Sequence, residues 1–590
     1  MKRIFVICLC CFCFFSCEDF LKEKNVTGIG YDYYETESGC EAAVISAYPS
    51  LRFYTGGNHY AAQLMVCGSD LWQSTNVAET NPWNEYWSDI DNQSLGDYNT
   101  FWNEIYKAIQ NCNLAINRIN KLDNATGKMA TEAGKNQRLG EAYFLRAYYY
   151  YVLINIWGSV PLLLDENTVI LNEIKRAPLA DIYTSMISDL TFAAEHLPQE
   201  QAEYARPTQA AAQSFLAKIY LTRGSAVTEN RGQQPSDMDN AILYAQKVID
   251  YKGDLQPEFY DVYDANQEKN KDVLFAVQFT NNQPFSSPGN VIFLFFTMSY
   301  NALPGMFESL EYGGYPYARV RPTDYLYDLY DLSNDSRFYK TFQTLWLCNV
   351  ADEAQWPKWT AGDAPSPELV GQTRYQYGDT AIYVTMQNNV PDAEVAAKPY
   401  YWFPRNKFTL RQYPSHRLHH QLVRNCVYCE GSADFKLLYL SDTYLTIAEA
   451  YGRKGDYAKA VEYINKVRRR AAYKEGEVKP REFVTVHGGN PANLTSSTEA
   501  AMMITVEQIN SPEKLRDFIL DERGRELCGT YDRRADLLRT ETFYDRVKKY
   551  NAPAAVHVQE YHKWRPIPQN HIDRLQNPGP VSEEQNPGYY

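Results

Sequence analysis

The sequence predicts an all-α fold: a superhelix of paired helices carrying a second, loop-rich irregular half with only short strands. Three observations lead there. Apolar residues recur at helical spacing over nine segments, one helical pair repeats along the chain, and two long stretches keep no helical period at all. Composition permits such a fold. Of 590 residues, 45% are apolar and 22% charged, enough to bury a large core and too apolar for a disordered chain. Acidic residues outnumber basic ones, 72 to 58, and the net charge of −14 disfavours broad nucleic-acid binding; no nucleic-acid partner is expected. The run Arg468–Arg469–Arg470 reads as a solvated helix end. Tyrosine is abundant, at 48 residues, and its flat ring with a polar tip suits helix packing and sugar or peptide surfaces alike.

Residues 1–16 read as a signal peptide. Lys2 and Arg3 precede an apolar run from Ile4 to Phe15, about 18 Å of helix against roughly 30 Å of hydrocarbon, too short to span a membrane. Ser16–Cys17 then resembles a bacterial lipobox, which would make Cys17 the lipidated N-terminus of the mature chain. Acyl chains at about 0.8 kcal/mol per buried methylene would hold it at a membrane. The pair Glu18–Asp19 resembles an export signal of surface-exposed lipoproteins.

Helices follow at about 38–53, 98–122, 131–157, 178–197, 207–224, 238–252, 434–453, 456–472 and 512–530. The 131–157 segment carries a stripe at Leu139, Tyr143, Ala147, Tyr150, Ile154 and Trp157, and Gly158 and Pro161 stop it. Ala448, Tyr451, Gly455, Tyr457, Ala460, Ile464 and Val467 sit at the offsets of a tetratricopeptide unit. A second copy begins with Ala217, Tyr220 and Gly224 and resumes with Ala241, Ala245 and Val248. The 131–157 and 178–197 pair reads as a third. Strand signals are few; LFAVQF at 274–279 is the best, and the apolar run Val291–Phe296 reads as a buried strand or contact patch. Residues 54–97 and about 280–430 resist helix assignment, and long irregular segments of this kind usually carry function.

No phosphate-cradling loop or nucleophile elbow is present, and no catalytic residue and no cofactor is expected. A calcium loop at Asp89–Asp91–Gln93 fails, because Ser94 replaces the required glycine and Thr100 the bidentate acid. His416, His419, His420, Cys426 and Cys429 form the one metal-like constellation. It could hold zinc, close a local disulfide or consist of ordinary thiols, and no bound metal is expected. The stronger binding signal is aromatic. Trp72, Trp83, Tyr86, Trp87, Tyr98 and Trp102 stand among Asn76, Asn81 and Asn84, and sugar rings stack on aromatics while amides take their hydroxyls. The same rings could equally anchor a long loop to the scaffold, and Trp102, at a helix start, reads as core.

Five segments carry a family resemblance. LRAYYYYVLINIWGSVPLL (145–163), VRPTDYLYDLYDLSNDSRFYKTF (320–342), FILDERGRELCGTYDRRADLLRT (518–540), KWRPIPQNHIDRLQNPG (563–579) and QNPGYY (585–590) resemble, in order, signature stretches of the SusD/RagB family of outer-membrane nutrient-binding lipoproteins. Arg533–Arg534 depart from that pattern, which usually shows an aromatic there. The resemblance implies a SusD-like N-terminal region over 17–230 and a RagB/SusD C-terminal region over 270–590 that includes a tetratricopeptide-like unit at 434–472. It implies a non-catalytic receptor, lipid-anchored in the outer membrane and facing the cell exterior. Such a receptor captures oligosaccharide, or in some members peptide, for a SusC-like TonB-dependent transporter; a surface glycoside hydrolase is the remoter alternative. In the family the ligand lies where the long loop of the first half meets loops of the second. Carried over by region, that places Trp72, Asn81, Trp83, Tyr86 and Trp87 opposite Tyr312, Tyr315, Tyr317 and Arg319. Gly313–Gly314 and Pro316 favour an exposed turn beside the second group.

Overall fold

A computed structural model describes residues 31–57, 59–75, 81–86, 96–167, 173–280, 282, 289–422, 424–477 and 496–589. The signal peptide, Cys17, the Glu18–Asp19 pair and Trp87 lie outside the described residues.

Paired helices form the scaffold. They are α1 (Glu37–Ser46), α2 (Gly96–Lys121), α3 (Glu132–Trp157), α4 (Leu179–His196), α5 (Gln209–Ser225), α6 (Asp237–Lys252), α7 (Leu440–Arg453) and α8 (Tyr457–Ala471). Each packs on the next in one continuous stack, with α6 meeting α7 across nearly two hundred residues of chain. The expected helices are present with two corrections: 38–53 is broken after Ser46, and the start of 434–453 is a strand (Phe435–Tyr439) that precedes α7, its five residues drawn into pairing with Val273–Val277.

The repeat is visible in the packing. Ala217 and Ala245 are fully buried against Ile447, and Ala448, Ala460 and Ile464 share a second cluster. Small residues at these places let the helix axes approach. Tyr220 stacks on Tyr244 with centroids 6.0 Å apart and planes at 8°, and Tyr451 stacks on Tyr463 at 5.8 Å and 8°. These four tyrosines occupy equivalent repeat positions, so two copies of the motif build the same ring pair.

Helix α3 is the spine. Thr131 caps its start by accepting from Gly134 N–H, and burial from Arg138 to Trp157 extends well beyond the expected stripe, with Arg138, Glu141 and Arg146 buried as ion pairs. Gly158 ends it with φ of 71°, a conformation that favours glycine. The chain's last segment closes over this end. Trp157 Nε1 donates to Pro566 O, Arg565 N to Ile156 O, and Asn586 Nδ2 to Trp157 O.

The irregular half is held by short strands. Strand β1 (Trp72–Ser74) pairs antiparallel with β3 (Val320–Pro322), and β2 (Val273–Val277) with β9 (Phe435–Tyr439). Strand β4 (Phe342–Gln343) pairs with β8 (Ser415–His416), while β5 (Leu345–Leu347), β6 (Thr380–Thr385) and β7 (Tyr401–Pro404) form a three-stranded sheet. The best strand signal, 274–279, is β2 displaced slightly. Val291–Phe296 is buried as expected, but Ile292–Phe296 form a helical turn rather than a strand. The stretch 54–97 is more regular than its composition indicated, with helical segments at His59–Val66 and Asn81–Glu85 flanking β1.

A buried charge lattice ties the two halves together. It centres on α9 (Pro512–Glu526) and α10 (Arg533–Arg539). Arg523 reaches Asp442 at 2.6 Å and Asp536 at 2.7 Å, and Lys218 reaches Asp442 and Asp532. Arg337, fully buried, meets Asp335, Glu522 and Glu526 within 2.9 Å. The Glu522–Arg523–Glu526 motif is therefore a structural clamp.

Candidate functional site

The two regions singled out in the sequence do converge. Pairing of β1 with β3 sets Ser74 opposite Val320, and Thr75 N–H donates to Arg319 O at 3.2 Å. The side chains, however, divide into two sets.

Four of the expected stacking rings are core. Trp72 is 1% exposed and packs edge-on against Phe296 at 4.9 Å and His416 at 5.6 Å. Trp83, 2% exposed, meets Tyr98 at 5.2 Å. Tyr86 is equally buried, donates to Gly68 O at 2.5 Å and lies under the Arg565 guanidinium. Tyr312 packs on Tyr300, with its hydroxyl donating to Leu347 O and accepting from Leu347 N–H. None of the four offers a face to a ligand, so these assignments are corrected: the rings anchor the loops to the scaffold. Asn81 opens the short helix Asn81–Glu85. Trp102 is core, as read from the sequence.

Tyr315, Tyr317 and Arg319 remain near the surface, each half-buried. The 313–319 segment is laid down by backbone bonds from Tyr317 N–H to Leu294 O and from Arg319 N–H to Phe295 O, both at 2.9 Å. Tyr315 N–H donates to Val427 O at 3.0 Å, bringing a second loop alongside. There Tyr428, 58% exposed, stacks against Tyr315 at 5.0 Å and 36°, and Tyr317 meets Tyr315 edge-on at 5.8 Å. Tyr428 Oη donates to Glu308 at 2.7 Å, and that hydrogen bond pushes the phenol's pKa up. Phe307, next in the chain to Glu308, is 55% exposed. The outcome is a surface of aromatic faces beside a carboxylate and a guanidinium.

Its backing is rigid. Cys426 and Cys429 form a disulfide that closes the loop around Tyr428. Arg424 stacks on Phe293 at 4.0 Å and donates to Gln421 O and Cys429 O. Burial pushes its pKa down to about 10. Gly314, at φ of 82°, must be glycine: a Cβ there would come within 2.5 Å of Val427 O. Gly313 and Gly314 are thus buried, Gly313 against His420 and Thr297 and Gly314 against the second loop, and Tyr315, Tyr317 and Arg319 beyond them reach the surface.

Sequence reading missed Tyr428, Phe307 and Glu308. The available signal was a tyrosine inside a C-x-x-C, which a disulfide turns into a presented ring. Of the alternatives for that motif the structure selects the disulfide, and the neighbouring histidines are core groups. His416 Nε2 lies 3.3 Å from Cys528 O, His419 Nε2 3.0 Å from Gly529 O, and His420 Nε2 3.3 Å from Thr297 Oγ1. Burial holds all three neutral, pushing His419 down to about 4 and His420 to about 3. Among the described residues, no group of three or more His, Cys, Asp or Glu side chains is placed to hold a metal. Cys40, Cys67, Cys112, Cys348 and Cys528 are free and buried, behaving as small apolar residues.

Comparison with known proteins agrees with this architecture. Residues 41–221 match a family model described as starch-binding and associating with the outer membrane. SusD-like protein P2 of Formosa agariphila is 27% identical over 277 residues, covering 45% of this chain and 50% of that relative, so the match spans half of its length. SusD-like protein P25 of the same organism is 25% identical over 96% of both chains. A solved surface glycan-binding protein A from Bacteroides thetaiotaomicron, in complex with laminarihexaose, superposes with a TM-score of 0.59 at 19% identity, covering 94% of this chain and 100% of that one. The model of the SusD family itself matches residues 271–589, more than half of the chain, and this protein therefore belongs to the SusD/RagB family.

Proposed function

We propose that this protein is a non-catalytic surface receptor that binds oligosaccharide on the Tyr315–Tyr428 platform and delivers it to a SusC-like TonB-dependent transporter. The observation that carries the reading is the platform itself. Two tyrosine rings and a third at right angles stand beside the Glu308 carboxylate, which accepts from Tyr428 on a disulfide-braced loop. Sugar C–H faces stack on such rings while Glu308 and Arg319 take hydroxyls. The glycan-binding relative with laminarihexaose bound supports a glycan over a peptide.

Attachment to the outer membrane is by lipid on Cys17. No helix among the described residues is long and apolar enough to cross a membrane. The stacked helices α1–α8 offer the broad surface a barrel partner needs.

Calorimetric titration against polysaccharide and peptide panels, with laminarihexaose included, tests the reading. Binding of at least one glycan without new reducing ends is expected. Glycan cleavage would make the protein a hydrolase, and binding of peptides alone would make it a peptide receptor.

A further inference from the structure

Two further aromatic rings are exposed at the end of β5. Phe307 is 55% exposed and Tyr377 61%. Asn349, two residues past that strand, grips the Phe307 backbone from both sides. Its Oδ1 accepts Phe307 N–H and its Nδ2 donates to Phe307 O, each at 2.7 Å. Cys348, its neighbour, holds the turn that carries Tyr377. Gly378 N–H donates to Cys348 O at 2.9 Å, and Cys348 N–H donates to Asp379 O at 2.8 Å.

The two segments also pack on each other. Tyr375 Oη donates to Pro304 O at 2.6 Å, and a Cβ at Gly305 would come within 2.7 Å of the Tyr375 ring. The Tyr377 turn closes on itself as well. Gly378 takes φ of 83°, and Asp379 accepts Gln376 N–H at 3.0 Å. Both rings therefore stand on bonded backbone, and Gln376 is exposed beside the second. The connection to the platform is direct. Glu308 follows Phe307 in the chain, and its carboxylate accepts from Asn301 at 2.9 Å and from Tyr428 at 2.7 Å.

We infer that Phe307 and Tyr377 lengthen the Tyr315–Tyr428 platform into a track, and that the receptor selects a glycan chain long enough to lie along it. The inference rests on the glycan reading above and adds the length of the ligand. A disaccharide occupies the Tyr315–Tyr428 end alone. A longer chain continues past Glu308 to Tyr377, where a further sugar face stacks on the ring and hydroxyls meet the Gln376 amide. Those added contacts come from units of a chain already held, so they raise affinity without a second cost of association. Tyr377 is thereby the residue that sets specificity for chain length.

The test titrates the full chain with disaccharide and hexasaccharide of three series: laminaribiose and laminarihexaose, cellobiose and cellohexaose, maltose and maltohexaose. In the series that binds, the hexasaccharide should bind about tenfold or more tightly than its disaccharide. Tyr377→Ala should cut that ratio about fivefold or more, the loss of one good ring. Tyr377→Trp, which keeps a flat ring at the turn, should restore it. Tyr428→Ala should instead weaken both lengths by a similar factor. Equal affinity for the two lengths, or a ratio that Tyr377→Ala leaves unchanged, would overturn this inference alone. No binding at either length in any series would overturn the platform reading and this one with it.

Discussion

Arg533 donates to both carboxylate oxygens of Asp70, at 2.8 and 2.5 Å, across 463 residues of chain, and the Asp70 side chain is wholly buried. Arg546 reaches the same carboxylate at 2.8 Å. This pair occupies the place where the sequence departs from the family's usual aromatic, and it joins the base of β1 to α10. Arg533→Ala should cost about 3–5 kcal/mol, because it leaves a buried charge short of its partner. The loss should appear as a lowered midpoint in a thermal melt.

Acid should destabilise the fold in two stages. Buried neutral His416 and His419 have folded pKa values below the ordinary value of about 6.5, so the unfolded chain binds more protons as pH falls through that value. Their contribution is fully present above about pH 6.5 and is lost toward pH 4, with a slope approaching about 1.4 kcal/mol per pH unit for each group. Burial raises Asp70, but Arg533 and Arg546 outweigh it and hold the carboxyl below its ordinary value. That contribution is present above about pH 4 and lost only on further acidification. Denaturant midpoints measured from pH 7 to pH 3 should show both stages; a flat profile between pH 7 and 5 would contradict the histidine assignment.

Core and platform rings should respond oppositely to truncation. Trp83→Ala should cost about 3–5 kcal/mol of stability, as a buried aromatic does. Tyr428→Ala should leave the melting temperature nearly unchanged while weakening glycan binding about tenfold, the loss of one good anchor. Unchanged affinity in the Tyr428 variant would place the glycan elsewhere.

The disulfide should matter for binding more than for stability. It closes a loop with a sequence separation of only 3, so it removes little chain entropy from the unfolded state. It does hold Tyr428 against Tyr315. Cys426→Ser with Cys429→Ser should lower glycan affinity about tenfold with a small change in melting temperature. Equal affinity would show that Arg424 and Glu308 suffice to set the loop.

Location is tested by Cys17→Ala, which should move the protein from the outer-membrane to the soluble fraction. Protease added to intact cells should digest the wild type. Full protection would contradict a surface position.

Much of the architecture was determined by the sequence itself. Helical periodicity is a local property, and so is the offset pattern that placed Tyr220 and Tyr244, or Tyr451 and Tyr463, in matching stacks. The short apolar run behind Lys2 and Arg3 and the family signature segments are equally local. Tertiary structure alone decided which aromatic rings face solvent. Trp72, Trp83 and Tyr86 carry the same chemistry as Tyr315 and Tyr428, and flanking asparagines made the first group look the better platform. Phe296, Tyr98 and Arg565 cover the first group, whereas Tyr428, 113 residues further along the chain, comes alongside Tyr315 and leaves both partly open. A ring's exposure depends on long-range neighbours that bury it, and residue type and local spacing do not encode them.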